Sequence, residues 1–492
     1  MTKGNLYAPY GPVDYAGNDP SYFTRPHPLL DGNDKYLEMS KPQYETWDAS
    51  RILSARDFGA VGDGKTDDTA ALNRLFKASV LNSTVAFLDA GYYRVTDTVE
   101  IHGGAKIIGE GLAAVIMGAG AKFSDIDNPY PVVQIGETGE VGMVEVSDLI
   151  VSTQGAAAGA VLIQYNLKST TPSLQPNNLT EISCTKEDSA AGASVPSGLW
   201  DVHTRIGGYE GSELQVAQCP TTPNQTNYVN PSCIAAYMSM HITPGAGNLY
   251  MENNWLWTAD HDIDDWNATQ VSVFAGRGLL IEGANKVWVV GSAVEHHTLY
   301  QYQLVNSSNI FIGYAQTETP YYQPNPPAPA PFSKLNTELF DPDFAFDCSS
   351  TSYFNETYTN GSISKVLPGN PPCAMAWGMR MLGSSNVVVW GMGLYSFFNN
   401  YHTTCSNVSV GENCQARIFW IGPAIQDRSE QDGQDLLRNM TGPLNNTEFL
   451  STTIYNLATV GSVSMITRLG SDVAVWFPNM ATFAAALGLF RF

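Results

Sequence analysis

Short runs of β-branched and aromatic residues, punctuated by Gly and Asn, dominate the hydrophobic pattern from residue 84 onward. Runs of this length, with few long helical patterns between them, are typical of an all-β fold. The runs that we predict as strands are residues 85–88, 106–108, 144–151, 214–217, 237–242, 249–257, 271–274, 279–282, 287–290, 310–312 and 387–390.

The spacing of these runs narrows the fold class. Residues 285–291, 309–313 and 386–391 share one pattern, in which Asn precedes an apolar strand and Gly follows it. The first two Gly residues, Gly291 and Gly313, lie 22 residues apart. A period of about 20–25 residues with short strands in each turn predicts a parallel β-helix. A sandwich or propeller is the alternative, but neither a blade signature nor regular Asn-Gly hairpin turns are found.

The remaining segments predict how the chain is organised around this core. Residues 1–50 are rich in Pro, Tyr and Asp and are predicted to be an extended arm or linker, and residues 51–492 the β-helix domain. Two long loop insertions are expected: residues 168–197, and residues 320–332, whose Pro content favours a stiff polyproline-like loop. A short C-terminal helix is predicted within residues 480–489.

The segment that follows the arm predicts a turn and then a helix. Gly62 and Gly64 flank Asp63 in a tight turn, and Asp67 or Asp68 can cap a helix. The apolar face of that helix would consist of Ala71, Leu72, Leu75 and Phe76. A calcium site at the three aspartates is the alternative interpretation.

Charge restricts the classes of partner. The chain of 492 residues has 25 Lys and Arg against 47 Asp and Glu, a formal net charge of −22. Nucleic acid requires a basic footprint and is therefore disfavoured as a partner, as are polyanionic polysaccharides. No apolar run reaches the 18 residues of a membrane-spanning helix, so a membrane is not expected either. A neutral substrate fits the charge best.

Cysteines and sequons indicate a secreted protein, although no signal peptide is recognisable at the start of this chain. The ten Asn-x-Ser/Thr sequons begin at Asn82, Asn178, Asn224, Asn267, Asn306, Asn355, Asn360, Asn407, Asn439 and Asn445. Of the seven cysteines, three close pairs predict disulfides, 219/233, 348/373 and 405/414, and leave Cys184 unpaired. No pair has the C-x-x-C spacing of a zinc site.

Two glutamates stand out in the densest polar and aromatic stretch, residues 255–322. Glu295 and Glu318 are 23 residues apart, about one coil, so they are expected on neighbouring rungs roughly 4.8 Å apart. Two carboxylates that close cannot both ionise freely, and one pKa should rise. A carboxylic acid that is protonated near neutral pH is what glycosidic bond cleavage requires. The alternative is two unrelated surface carboxylates.

Other candidates surround the two glutamates in the sequence. His296 and His297 adjoin Glu295, and one of them can orient it. Trp255 and Trp257 lie on one face of a predicted strand, either in the core or as a stacking floor for sugar rings. Four aspartates near His261 favour a solvated turn, sugar binding or calcium, without the EF-hand spacing: Asp260, Asp262, Asp264 and Asp265.

Two sets of motifs resemble known families. Residues 56–70, Arg-Asp-Phe-Gly-Ala-Val-Gly-Asp-Gly-Lys-Thr-Asp-Asp-Thr-Ala, resemble the opening motif of the pectate-lyase-like superfamily of right-handed parallel β-helices. Residues 259–265, 295–303 and 316–324 look like glycoside hydrolase family 55, the exo-acting β-1,3-glucanases. That family carries two tandem β-helices, whereas the opening motif occurs once here. The chain therefore looks like the second half, and the first half is an expected partner.

The resemblance to family 55 also implies roles for individual residues. Glu318 falls on the general acid and Glu295 on a second acidic residue that helps to place the water. Trp257, Asp260 and Tyr321 match positions that line the glucose site. From the same motifs we add Tyr322, His296 and Gln301 as candidate substrate-binding residues. No metal or other cofactor is expected.

The sequence thus predicts a secreted enzyme that hydrolyses β-1,3-glucan from the chain end with inversion of configuration. One alternative is a calcium-dependent polysaccharide lyase on the same fold, for which no basic partner residue is evident. Another is a non-catalytic, glucan-binding half of a two-helix enzyme.

Overall fold

A computed structural model describes residues 25–169, 195–349, 371–407, 412–422 and 452–470, together with the backbone of a few short strands outside these ranges. The chain is a parallel β-helix, in which successive coils stack three parallel sheets, as the period of the sequence predicts. Most of the insertion predicted at 168–197, the C-terminal helix predicted within 480–489, and Cys184 lie outside the described residues.

The strands are numbered β1 to β31 in chain order. The first sheet contains β3 (Ile52–Ser54), β5 (Val85–Leu88), β8 (Lys106–Gly109), β11 (Glu145–Thr153), β13 (Ser197–Ile206), β15 (Gly247–Glu252), β18 (Asn285–Val290), β21 (Ser308–Glu318), β25 (Ser385–Tyr395) and β28 (Thr453–Val460).

The second sheet continues from the first around a corner. The carboxyl-terminal parts of β11, β13, β21, β25 and β28 belong to it. Its other strands are β4 (Asp63–Asp67), β6 (Gly91–Val95), β9 (Ala114–Gly118), β16 (Trp255–Thr258) and β19 (Ala293–Glu295).

The third sheet closes each coil. It contains β7 (Val99–Ile101), β10 (Tyr130–Ile135), β12 (Ala160–Tyr165), β14 (Ile234–Ile242), β17 (Phe274–Glu282), β20 (His297–Val305), β24 (Trp377–Leu382), β26 (Gln415–Arg417), β27 (Phe419–Gly422) and β29 (Ser462–Gly470). The antiparallel strands are β1 (Asn5–Ala8), β2 (Gly11–Asp14), β22 (Thr357–Thr359), β23 (Ser362–Ser364), β30 (Val473–Pro478) and β31 (Leu489–Arg491).

Two runs predicted as strands are wrong in whole or in part. Residues 214–217 form turns, and residues 271–273 precede β17 rather than lying in it. In both places the backbone bonds to another loop instead of a ladder. The amide of Val216 donates to the Asp262 carboxylate, and the amide of Ser272 donates to the carbonyl of Cys219. The side chains of Leu214 and Val271 are nevertheless buried, which accounts for the apolar pattern.

The corner between the first and second sheets is a ladder of left-handed residues. One residue in each of seven rungs has a φ between 53° and 76°: Asp148, Asp201, Asn253, Gly291, Tyr314, Gly391 and Asn456. Six of the seven are Asp, Asn or Gly, the types that tolerate this region. Tyr314 is the exception, since its Cβ crowds the following carbonyl, a conflict that costs about 1–2 kcal/mol and that no short polar side chain offsets here.

Helix α1 (Thr69–Asn82) covers the amino-terminal end of the β-helix and confirms the predicted helix. Its buried face is the predicted one, formed by Ala71, Leu72, Leu75 and Phe76 together with Ser79. The Asp67 carboxylate accepts from the amide of Thr69, while Asp68 accepts from the amides of Val61 and Gly62. The Asn73 side chain bonds the backbone on either side of Val99, so β7 is not left as an open edge. Helices α2 (Ala121–Ser124) and α3 (Phe344–Asp347) are single turns.

The described part of the arm, residues 25–50, lies on the outer face of the first sheet. Outward-facing aromatic residues of consecutive rungs, Tyr250, Trp288 and Phe311, form a ladder there. Leu29 packs on this ladder, and its carbonyl accepts from the Trp288 indole at 3.1 Å. Tyr36 stacks on Phe311 with ring centroids 4.3 Å apart. The arm therefore seals apolar surface that the coils alone would expose.

The second insertion covers the third sheet. Residues 321–331 form turns and bends, so the expected polyproline-like extension is wrong. The buried Gln323 side chain donates to the carbonyl of Thr298 and accepts from the amide of Ala376, which ties the turns to the coil. Further along, Asp341 forms a fully buried ion pair with Arg277 of β17, with Nε 2.8 Å from Oδ1.

The three predicted disulfides are confirmed: Cys219–Cys233, Cys348–Cys373 and Cys405–Cys414. Each closes a loop outside the coil. Within the described part of the chain, no helix is long and apolar enough to cross a membrane.

Removing the Asp341 carboxylate should destabilise the fold strongly. Asp341→Ala leaves the Arg277 guanidinium buried without its partner, which typically costs about 3–5 kcal/mol. We expect a clear fall in Tm by calorimetry. Asp127→Ala is the matched control, because it removes the exposed ion pair between Asp127 and Lys334 of the same insertion. Equal Tm values for the two variants would contradict this account of the insertion.

Candidate active site

The two candidate glutamates lie side by side on the outer face of the second sheet. Parallel register pairs Trp257 with Glu295, Glu295 with Glu318, and Glu318 with Tyr395. The spacing of 23 residues is therefore one coil, as predicted. Because the ladder is continuous, four consecutive rungs place these side chains along one line on the outer face of the sheet.

Glu295 is nearly buried and is held at both carboxylate oxygens. The Trp255 indole donates to Oε2 at 2.8 Å, and the Gln316 amide donates to Oε1 at 2.9 Å. Burial raises the pKa of Glu295, and the charge of Glu318 acts in the same direction, while His296 opposes it. The raised pKa expected for one member of the pair thus falls on Glu295.

Glu318 is the more accessible of the two carboxylates, with 18% of its side chain exposed. The Tyr321 hydroxyl donates to its Oε2 at 2.7 Å, and Nε2 of His296 lies 3.5 Å from the same oxygen. The Tyr321 ring is itself fixed by stacking on Phe398, with centroids 3.6 Å apart. These partners differ from those of Glu295, so the two carboxylates are held by separate groups.

His296 connects Glu318 to Asp260 beneath the surface. It occupies the corner between β19 and β20 with a φ of 68° and is 4% exposed. Its Nδ1 lies 2.9 Å from the carbonyl of Thr258 and 3.5 Å from Oδ1 of Asp260. Burial lowers the pKa of His296, but the charges of Asp260, Glu318 and Glu295 outweigh burial and raise it to about 9. The imidazole is therefore a buried cation at neutral pH, among the side chains of Asp260, Glu295 and Glu318.

Asp260 belongs to the site, whereas the rest of the acidic cluster is structural. Its Oδ1 accepts from the Trp257 indole at 3.1 Å, and its Oδ2 lies 2.8 Å from Nδ1 of His261. Asp262 is buried and bonds the loop around Val216 instead. Asp265 accepts from the amides of Asn267 and Thr269, as expected for a turn, whereas Asp264 accepts from the amide of Glu210 in another loop.

Some predicted substrate-binding residues do not reach the surface of the site. Gln301 is fully buried and its amide bonds His297, so the prediction of substrate contact is corrected to a role inside the coil. Tyr322 is corrected likewise, because its ring points inward and its hydroxyl bonds Thr298. Trp257 is 2% exposed beneath Trp255 and His261, where it supports Asp260.

Several residues that sequence reasoning did not select as site residues belong to the site. Gln316 and Trp255 hold Glu295, and Tyr395 follows Glu318 in the ladder with its ring over Gly393. Phe398 supports Tyr321 from the next coil. Because side chains alternate between the two faces of a strand, Gln316 shares a face of β21 with Glu318 and could have been predicted from the sequence. Tyr395 lies 77 residues from Glu318, and only knowledge of the insertion's length could have predicted that pairing.

Within the ranges that the structure describes, no group of three or more His, Cys, Asp and Glu side chains is arranged to hold a metal ion. The predicted independence of metal remains to be tested by experiment.

Fold and site together define a parallel β-helix with a paired-carboxylate site on its second sheet. Residues 52–254 match the family model described as rhamnogalacturonase A/epimerase, pectate lyase-like. The chain is also similar in sequence to curated proteins named as glucan glucosidases. It is 39% identical to a glucan 1,3-beta-glucosidase of Cochliobolus carbonum over 99% of this chain and 52% of that protein.

Two further comparisons define the extent of the similarity. A probable glucan endo-1,3-beta-glucosidase of Arthroderma benhamiae is 37% identical over 95% of this chain and 45% of its own length. The chain thus spans about half the length of these curated relatives. The solved structure of sacteLam55A from Streptomyces sp. SirexAA-E matches with a TM-score of 0.40 and 17% sequence identity. The match covers 76% of this chain and 46% of the solved chain.

The buried cation predicts a specific pH dependence of stability. The folded-state pKa of His296 is raised to about 9. Its stabilising contribution is therefore complete below the unfolded pKa of about 6.5 and is lost as the pH rises towards 9. We expect the Tm difference between wild type and His296→Gln to be largest near pH 6 and to shrink towards pH 9. A difference that is constant or grows with pH would show that His296 is neutral.

Proposed function

We propose that this chain carries the catalytic carboxylates of an exo-acting β-1,3-glucan hydrolase that inverts configuration, with Glu318 as the general acid. The observation that supports this most is the pairing of Glu295 with Glu318 on adjacent rungs, in two different environments. Two carboxyl groups with different environments are what acid and base roles in glycoside hydrolysis require. The names of the two glucosidase relatives suggest the substrate.

The proposed reaction uses both carboxyl groups once. Glu318 gives its proton to the glycosidic oxygen as the bond to the anomeric carbon breaks. A water molecule attacks that carbon from the opposite face and gives its proton to Glu295. Glu318 suits the acid role because its carboxyl group is accessible from solvent. A base gains efficiency as its pKa approaches the working pH, so the raised pKa of Glu295 suits the base role.

One observation favours the reverse assignment. The raised pKa of Glu295 would also keep this carboxyl protonated, as a general acid must be. However, Glu295 is 6% exposed and both its oxygens already accept hydrogen bonds from Trp255 and Gln316. It is therefore less able than Glu318 to reach a glycosidic oxygen.

We further propose that the enzyme is secreted and that a second β-helix half completes its cleft. Three disulfides support secretion, and the sequon asparagines within the described ranges are exposed: Asn82, Asn224, Asn267, Asn306 and Asn407. The relatives are about twice as long as this chain, which supports a further half. Activity of this chain by itself is accordingly expected to be weak.

Glu318→Gln tests the assignment of the acid. It keeps the shape of the side chain and removes the proton, so turnover of β-1,3-glucan should fall by about 10²-fold or more. The loss should be smaller for an aryl β-glucoside, whose leaving group needs no proton. Glu295→Gln should instead impair both substrates, since the attacking water loses its base.

The rates of both variants on both substrates therefore distinguish the roles. A Glu318→Gln variant that cleaves glucan normally, or loses equally on both substrates, would exclude Glu318 as the acid. If Glu295→Gln instead loses less turnover on the aryl glucoside than on glucan, the reverse assignment is supported.

Chelation tests the proposal against the calcium-dependent lyase. Hydrolysis by two carboxyl groups needs no metal, so glucan turnover should persist in excess EDTA. The measurement is the initial rate with and without the chelator. Loss of activity that calcium restores would favour the lyase.

A further inference from the structure

Tyr314 combines a costly backbone conformation with an exposed ring. It has a φ of 53° in the corner ladder, where the adjacent rungs place Gly291 and Gly391. Its side chain is 71% exposed. Its ring lies over Gly391, where a Cβ atom would be 3.6 Å from Cδ1 of Tyr314. A bulky residue in the left-handed conformation is uncommon, and at an exposed position it calls for a functional explanation. Neither burial nor packing explains a tyrosine there.

Two more aromatic side chains lie beside this corner. Parallel register places Trp390 opposite Gly313 and Tyr455 opposite Trp390. The rings of Trp390 and Tyr455 stack with centroids 4.3 Å apart, and Trp390 is still 38% exposed. Tyr314, Trp390 and Tyr455 form what we call the corner platform, which spans three consecutive rungs.

The corner platform is continuous with the candidate active site. Tyr314 and Glu318 belong to the same strand, β21, and four residues of strand span about 13 Å. Trp390 and Tyr395 also share one strand, β25, but lie five residues apart on either side of the corner residue Gly391. Gln316 is exposed between platform and site, and Asn456 is exposed beside Tyr455. Aromatic faces flanked by amide groups are suited to sugars, whose rings stack through C–H groups and hydrogen-bond through hydroxyls.

We propose that the corner platform is an outer binding site for a β-glucan chain whose end occupies the site at Glu318. This inference rests on the proposed function for the identity of the polysaccharide. The direct run of β21 from Tyr314 to Glu318 favours a polymeric substrate over a protein segment as the occupant. A chain bound there would be held near the carboxylates between successive cleavages.

Tyr314→Asn tests the proposal, because it removes the ring and places a tolerated residue in the left-handed corner. Its Tm should be unchanged or raised, while retention on insoluble β-1,3-glucan should fall at least fivefold in a pull-down titration. KM for the polymer should rise, and kcat/KM for an aryl β-glucoside should not change. Trp390→Ala should show the same loss of polymer binding.

Tyr130→Asn is the matched control, because Tyr130 is an exposed tyrosine of β10 on the third sheet. The retention of this variant on insoluble glucan should equal that of the wild type. Unchanged retention of both platform variants would overturn the proposal. So would a lower Tm in Tyr314→Asn or altered self-association, because either would give the ring a structural or protein-binding role. Retention on insoluble glucan does not depend on hydrolysis. The pull-down therefore distinguishes failure of the proposed platform from failure of the proposed activity. Wild-type retention on cellulose or chitin but not on β-1,3-glucan would reject the proposed substrate and keep a carbohydrate platform.

Discussion

The parallel hydrogen-bonded register between successive coils is the constraint on which the site depends. Register brings Glu295 and Glu318 to the same position of adjacent strands although 23 residues separate them. A slip by one residue would turn one of the two carboxylates into the apolar interior, because side chains alternate between the faces of a strand. The core residues on either side, Val294 and Thr317, thus fix the site as firmly as they fix the fold.

The charged side chains of the site interact with one another because the register between the coils brings them together. Asp260, Glu295 and Glu318 would repel one another at such short range, and His296 is the cation enclosed among them. It can hold this place because the chain turns through a left-handed conformation at the corner. Tyr321 and Trp255 then direct one carboxylate each, so the two groups are held apart by separate donors. The environment of each carboxylate is set by fold geometry more than by its sequence neighbours.

Local pattern was sufficient to predict much of this architecture. The Asn–strand–Gly period predicted the β-helix, and the spacing of Glu295 and Glu318 predicted their pairing. The apolar face of α1 and the three disulfides also followed from short-range spacing. What failed depended on long-range partners: Leu214 and Val271 are buried in loops, and Gln323 converts the expected polyproline extension into turns. The burial of Gln301 in β20 and of Tyr322 in the turns after β21 likewise depends on their partners, His297 and Thr298.

The most direct test of the central claim is the first product released from linear β-1,3-glucan, followed by chromatography and proton NMR at times short compared with mutarotation. Hydrolysis by the Glu318–Glu295 pair predicts glucose from the earliest time points, in the α configuration. Oligosaccharides as the first products, β-glucose, or an unsaturated sugar would contradict exo-acting, inverting hydrolysis at this pair.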